Sequence, residues 1–227
     1  MLLAFVFEKH KEQDFTDLLE FLEFWFICRH ATNEPPTHQL DKIFAELTHT
    51  QKQDYDFELI KSTLFGCLDK DRIKKSLSNA DIYDYPNLVR NILIRLEQNL
   101  RNKQTAVDFW KKTNKQPVWT IEHIYPQNPH DEKDWGDDEQ NARLKQKLHS
   151  LGNLTLTCYN GSYSNKKYAE KCQVTDDGKP VGLINGDIKI NQTLPTPSDN
   201  TNDWTAKEID ERTEWLIEQF LDFFYKS

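Results

Sequence analysis

An α+β protein, mainly α-helical, is what this sequence predicts: a helical bundle followed by a ββα unit, with a small hairpin and a C-terminal helix. Two observations carry the prediction. Apolar side chains recur at spacings of three and four through roughly the first hundred residues, the period of a helix face. At Pro117 the pattern changes to short β-branched and aromatic runs in the order strand, long loop, strand, helix. The change divides the sequence into a helical region, 1–112, and a second domain, 113–227, onto which the last helix packs back.

Met1 to Phe7 is apolar but short, lacks a basic leader and runs into Glu8-Lys9-His10-Lys11, so it reads as helix and not as a signal peptide. Asp14 suits the cap of a helix with Phe15, Leu18, Leu22, Trp25 and Phe26 near one face, and Pro35-Pro36 ends it. Helical segments follow near 38–49, near 54–67 and from Lys70 to Leu77. Pro86 suits the first turn of a helix carrying Val89, Ile92, Leu93, Leu96 and Leu100. These stripes are bundle core, and no catalytic constellation precedes residue 117.

Residues 118–124 are β-branched and aromatic, hence strand, and Pro126 and Pro129 stop it. An acidic loop with a short helix from Glu139 to His149 leads to a second strand, Leu151 to Thr157. Asn160-Gly161-Ser162 is a turn signal, and Ser164 caps a helix running to Lys171. Asn185-Gly186, between the apolar runs of Val181 to Ile190, predicts a two-residue hairpin. The Thr- and Pro-rich stretch 193–203 reads as linker. Thr205 and Glu208 are spaced as a capping box for a last helix with Ile209, Leu216, Phe220 and Phe224 on one side.

Composition excludes several classes. Aromatics at 12% argue against wholesale disorder, and no apolar run approaches membrane-span length. Cys28, Cys67, Cys158 and Cys172 form no CxxC pair, which disfavours a zinc knuckle and fits free thiols in a reducing cytoplasm. The net charge of −8 runs against a phosphate-binding protein, but its distribution answers the objection. Asp131 to Gln140 holds six acids and one base, a balance of −5; Asn141 to Cys172 holds six bases and one acid, a balance of +5. The positive charge gathers beside the segment where chemistry is concentrated, although ordinary charged helix faces would count the same.

That segment joins Glu122-His123 at a strand end, Asn153 at a strand start, and Asn160 and Asn165 beyond. Phosphodiester hydrolysis needs an activated water, relief of charge on the transition state and a stabilised leaving oxygen. A histidine near neutral pKa supplies the first, so His123 is the candidate base. One hard cation supplies the others and needs only one or two oxygen ligands, which Glu122 and an asparagine carbonyl would satisfy. On a regular strand Glu122 and His123 point to opposite faces, so serving one centre requires a strand end or bulge. Asn153 could tie down the loop and orient His123, or be a plain turn residue. Asn165, at the first turn of its helix, and Asn160 compete as the further metal ligand. Lys166, Lys167, Lys171 and His149 are candidates for phosphate contact, and Tyr125, Tyr159 and Tyr163 for base stacking.

Ile121-Glu-His-Ile-Tyr-Pro-Gln127, Leu148-His-Ser-Leu-Gly-Asn-Leu-Thr-Leu-Thr157, Asn160 and Ser164-Asn-Lys-Lys-Tyr-Ala-Glu-Lys171 resemble the HNH (His-Me finger, ββα-metal) nuclease domain of GmrSD-type restriction and defence proteins, the GmrD-like C-terminal part. The resemblance is close over roughly 117–172 and extends in pattern to the flanking helices. It implies a ββα-metal fold, a requirement for Mg²⁺, Mn²⁺ or another divalent cation, and DNA cleavage or nicking. It puts His123 on the base, Glu122 on the acidic metal ligand, Asn153 on the loop-fixing asparagine and Asn165 on the helix metal ligand, with Asn160 the alternative.

Members of that family carry, or pair with, a nucleotide-hydrolysing ParB-like module. This chain has no phosphate-binding glycine pattern among its seven glycines, so the resemblance implies the C-terminal part of a larger protein or the nuclease subunit of a two-chain system. It also implies defence against phage through recognition of modified DNA. Two other readings use the same residues: a catalytically degenerate HNH-like module that binds DNA or protein, and a nuclease directed at RNA.

Overall fold

The computed structural model describes Leu3 and residues 12–51, 56–198 and 203–226. The chain divides into two units, Met1–Ser76 and Leu77–Ser227. The class is α+β and mainly helical.

The first unit contains α1 (Glu12–Thr32), α2 (Thr37–Gln51), α3 (Phe57–Phe65) and α4 (Lys70–Leu77), whose last residue opens the second unit. Asp14 lies inside the first turn of α1 and not at its cap, still where a carboxylate meets the positive helix end. The apolar stripe expected there is realised: Leu18, Leu22 and Trp25 are buried with Leu47, Ile60 and Leu64. The Trp25 indole donates to the Leu64 carbonyl at 2.8 Å, which satisfies the one polar atom of a buried ring. Apart from Leu3, which is helical, the stretch Met1 to Phe7 lies outside the described residues.

The second unit begins with a 3-10 turn, Ile82–Asp84, and α5 (Pro86–Leu100) with proline in its first turn as expected. The buried face of α5 packs against α9 (Ala206–Lys226), β4 (Leu154–Thr157) and the 3-10 turn Lys189–Asn191. Its Glu97 is fully buried and accepts from the backbone N–H groups of Lys189 (2.9 Å) and Ile190 (2.8 Å) and from Arg101 Nε (2.7 Å). The boundary drawn from sequence at 112 therefore falls inside this unit, because a helix with pure bundle patterning is committed to the strands' core.

Three antiparallel strand pairs follow. β1 (Lys112–Thr113) and β2 (Gln116–Pro117) turn through Asn114 and Lys115, both with left-handed φ. β3 (Thr120–His123) pairs with β4 (Leu154–Thr157) in unbroken register, Thr120 opposite Thr157 and His123 opposite Leu154. Between them lie the 3-10 turns Glu132–Trp135 and Leu151–Asn153 and the helix α6 (Asp138–Gln146), started by a full capping box of Asp137 and Gln140. After β4 come two short helices, α7 (Asn160–Tyr163) and α8 (Tyr168–Cys172), then β5 (Thr175–Asp176) and β6 (Lys179–Pro180). Strand, long loop, strand, helix is the outline read from the sequence.

Four local expectations are corrected. The Asn160-Gly161-Ser162 turn is instead the short helix α7. Ser164 does not cap a helix: its N–H closes α7 on Asn160 O at 2.8 Å and its φ is 48°, so it ends one helix while the next starts at Tyr168. Asn185-Gly186 forms no hairpin. The segments beside it are committed elsewhere: Leu183 N–H donates to Lys171 O (3.0 Å), Asn185 Nδ2 to Cys172 O (3.2 Å), and Gly186 N–H to Gly182 O (2.7 Å). The hairpin instead forms at Asp177-Gly178, where both residues have positive φ, between β5 and β6. The stretch called linker packs down at its start, with Leu194 buried and Tyr168 Oη donating to Pro195 O at 2.6 Å; residues 199–202 lie outside the described residues.

α9 closes the unit. Thr205 N–H donates to Glu208 Oε2 at 3.0 Å, one half of the expected box; Thr205 Oγ1 instead accepts from Lys207 N–H at 3.2 Å. Ile209, Leu216 and Phe220 are buried as expected, and the Phe224 side chain lies outside the described residues. Gly152 is where α9 touches the loop before β4: a Cβ there would overlap Ile209 O and Thr213 Oγ1, so only glycine permits the approach. Arg212, buried in α9, donates to Gly152 O (2.5 Å), Leu154 O (2.8 Å) and Ile190 O (3.3 Å). Burial lowers its pKa to about 9.

Candidate active site

His123 is the last residue of β3 and is 7% exposed. Its Nε2 lies 3.2 Å from Nδ1 of His149, and its Nδ1 lies 3.4 Å from Nε2 of Gln127. Tyr83, from the 3-10 turn before α5, completes the cluster. Its ring meets His123 edge-on at 4.7 Å and stacks on His149 at 5.5 Å with 10° between planes. Burial lowers the His123 pKa to about 4, helped by His149, which repels a second proton, and by the Lys171 ammonium, so the imidazole is neutral at pH 7.

The Glu122 side chain has different partners. Its Oε1 pairs with Lys171 Nζ at 2.5 Å, and the same ammonium donates to the main-chain oxygen of His123 at 2.7 Å. Lys171 is fully buried and Glu122 is 8% exposed. Burial drives both toward neutrality, raising Glu122 and lowering Lys171, while their attraction opposes it. Because β3 keeps its register to His123, Glu122 and His123 leave the strand on opposite faces. The structure thus gathers the imidazoles on one side and the carboxylate–ammonium pair on the other, and a bulge to unite them is absent from β3. Lys171, expected on phosphate, is a buried partner of Glu122 instead, because α8 begins later than the sequence suggested and directs it inward.

Asn153 is fully buried and uses all of its amide. Oδ1 accepts from Tyr125 N–H (2.8 Å) and Trp204 Nε1 (3.1 Å); Nδ2 donates to Tyr125 O (3.0 Å) and Leu148 O (2.8 Å). It clamps the segment leaving His123 to the segment leaving His149. Tyr125 is buried and packs edge-on against Trp135, and Tyr163 is buried with its hydroxyl on Val181 O, so neither is available to stack on a base; Tyr159 is half-buried against the same core.

Asn160 opens α7 and its Nδ2 donates to Thr120 Oγ1 (2.7 Å) and Ile121 O (3.2 Å) on β3. Its Oδ1 is buried with no hydrogen-bond partner among the described residues, an orphaned carbonyl oxygen of the kind a hard cation accepts. Asn165 lies between α7 and α8 and not on a helix; its backbone oxygen accepts from His130 N–H at 3.4 Å. Lys166 is half-buried and Lys167 exposed beside it. Glu122 and Asn160 are thus oxygen donors in kind suited to Mg²⁺, and a cation on Glu122 would take the place of the Lys171 ammonium. Among the described residues no group of three or more His, Cys, Asp and Glu side chains is arranged to hold a metal.

Sequence reasoning missed Tyr83 and the positions of Gln127 and Lys171 in these networks. Gln127 lies within the quoted motif, and its spacing of four from His123 was a usable signal; Tyr83, forty residues upstream of His123, gave none.

Comparison with protein families matches residues 68–219 to the model described as GmrSD restriction endonucleases, C-terminal domain. No curated protein and no solved structure matches the chain.

Proposed function

The chain belongs to the family of GmrSD restriction endonuclease C-terminal domains, a nuclease domain of restriction systems, and on that premise we propose a metal-dependent HNH-type DNA endonuclease or nickase. Its substrate would be modified DNA in a bacterial anti-phage system, and its partner a nucleotide-hydrolysing ParB-like module, on the same chain or another. The observation that carries the reading is His123: a neutral imidazole at a strand end, held on two sides by His149 and Gln127, with its backbone fixed by Lys171 and the Asn153 clamp.

In the reaction a water attacks phosphorus while His123 takes its proton at Nδ1, and the phosphorus–oxygen bond to the leaving strand breaks with its electron pair on that oxygen. A conjugate acid near pH 4 makes a weak base. A bound phosphate beside it favours the protonated form and raises the pKa toward the working range. A divalent cation, when bound, would offset charge on the phosphoryl and leaving oxygens. Glu122, Asn160 and Asn165 are the residues that would hold it. Lys166 and Lys167 would meet flanking phosphates.

One observation favours a second reading, a catalytically degenerate DNA- or protein-binding module: Glu122 is already neutralised by Lys171. Plasmid DNA in Mg²⁺ or Mn²⁺ separates the two. The nuclease reading expects wild type to cut and His123→Ala, folded by circular dichroism, to lose at least about a hundredfold in rate, the scale of general base catalysis. Equal cutting by both, or DNA binding without cutting and indifferent to Glu122→Ala and Asn160→Ala, would sink it. An RNA substrate in parallel tests the choice of nucleic acid.

A further inference from the structure

The contacts of His123 with His149 and Gln127 decide which nitrogen of the base carries its lone pair. Gln127 reaches His123 Nδ1 through its amide nitrogen, which can only donate, so Nδ1 carries a lone pair. The His123 proton then sits on Nε2, and the atom 3.2 Å away, His149 Nδ1, must accept it. His149 in turn is stacked on Tyr83, whose ring also closes one side of His123. Ordinary aromatic packing would bring three rings together without aligning two ring nitrogens at hydrogen-bond distance; here the imidazole planes stand at 78° with that contact made.

We infer that His149, held in place by Tyr83, is a positioning residue: it accepts the Nε2–H of His123 and so fixes the tautomer and orientation that put the lone pair on His123 Nδ1, where a water displacing the long Gln127 contact (3.4 Å) gives up its proton. This replaces phosphate contact as the role of His149 and gives Tyr83 a task although it lies far from the motif in sequence. The inference rests on the reading of His123 as the base, but the tautomer is a property of the resting protein and can be measured without cleavage.

The first measurement uses metal-free protein labelled with ¹⁵N-histidine, and reads the two-bond proton–nitrogen correlations of His123. The expected result is the Nε2–H tautomer in wild type and a mixture of tautomers in His149→Phe, which keeps a flat ring under Tyr83 and lacks the acceptor; the Gln127 amide can turn to offer its oxygen to an Nδ1–H, so Gln127 does not hold the tautomer by itself. A wild-type proton on Nδ1, or a tautomer unchanged in His149→Phe, overturns the inference.

The second measurement is the rate of DNA cleavage. His149→Phe is expected to lower kcat about tenfold or more with KM nearly unchanged, as a misoriented base does. His149→Asn, whose Oδ1 can stand where Nδ1 stood, should recover most of it. Tyr83→Leu, which removes the ring on which His149 stacks, should follow His149→Phe. A raised KM with kcat intact would assign His149 to phosphate binding and overturn the inference. If wild-type protein cuts no nucleic acid, the nuclease reading fails while the tautomer result still decides the role of His149.

Discussion

Asn153 gives the sharpest stability test. Asn153→Ala removes four hydrogen bonds at a fully buried position and leaves two N–H donors and two carbonyls without partners. At about 1 kcal/mol net per bond the cost is roughly 4 kcal/mol, a large part of the about 5–15 kcal/mol that keeps a domain folded. With a urea slope of about 2 kcal/mol per molar, the unfolding midpoint falls by roughly 2 M. Asn153→Asp separates the two halves of the clamp. It keeps an acceptor for Tyr125 N–H and Trp204 Nε1 but sets a carboxylate against the Tyr125 and Leu148 carbonyls. Burial and those oxygens raise its folded pKa, so the folded state binds the extra proton and this variant should gain stability as pH falls. Urea titrations at pH 7 and pH 5 measure both. A midpoint for Asn153→Ala within about 0.5 M of wild type, equivalent to about 1 kcal/mol, would refute the clamp.

Three further outcomes follow from the same geometry. Gly152→Ala forces a Cβ into Ile209 O and Thr213 and should cost about 1–3 kcal/mol by overpacking, read as a lowered Tm; an unchanged Tm would mean that α9 moves freely away. Lys171→Met strands the buried Glu122 carboxylate and should cost about 3–5 kcal/mol, whereas Glu122→Gln with Lys171→Met should recover much of that; equal costs for single and double variants would show the pair is uncoupled. His123 has a folded pKa near 4, below its ordinary value of 6.5, because of burial and of the facing His149 and Lys171. The unfolded chain therefore binds the proton first, and stability falls as pH drops from about 6.5 to about 4, by about 3 kcal/mol at most. His123→Phe should flatten the metal-free stability profile in that window, and a slope equal to wild type would contradict it.

Much of this was legible where the signal is local. Lys70 to Leu77 forms its helix with those ends, Pro86 starts α5, and β3 and β4 lie within the expected strands. Signals that depend on what the neighbouring chain does were harder. Asn185-Gly186 and Asp177-Gly178 are equally good turn dipeptides, but only the second has flanks free to pair, since Leu183 and Asn185 bond to the end of α8. Ser164 has the chemistry of a cap and is used to end α7. Lys171 sits in a basic run that reads as surface, and only the tertiary position of α8 shows that it is the one turned inward onto Glu122. The role of Tyr83 comes from ring contacts across forty residues, and no periodicity or spacing marks such a contact.

The same strand alternation that separates Glu122 from His123 explains why Lys171 matters to both. Its ammonium bonds the carboxylate on one face and the main-chain oxygen of His123 at the strand end, so it spans what the side chains cannot. A main-chain carbonyl is common to both faces, which makes it the one acceptor through which a change at Glu122 can reach the base without a bulge in β3. If Glu122 were to exchange Lys171 for a cation, the ammonium would keep His123 O as an acceptor and lose its counter-charge. The end of β3 would then be held by its pairing with β4, by Asn153 and by the His149 and Gln127 contacts. The backbone position of His123 is thus fixed from three directions, and the carboxylate beside it in sequence acts on it through the lysine forty-eight residues away.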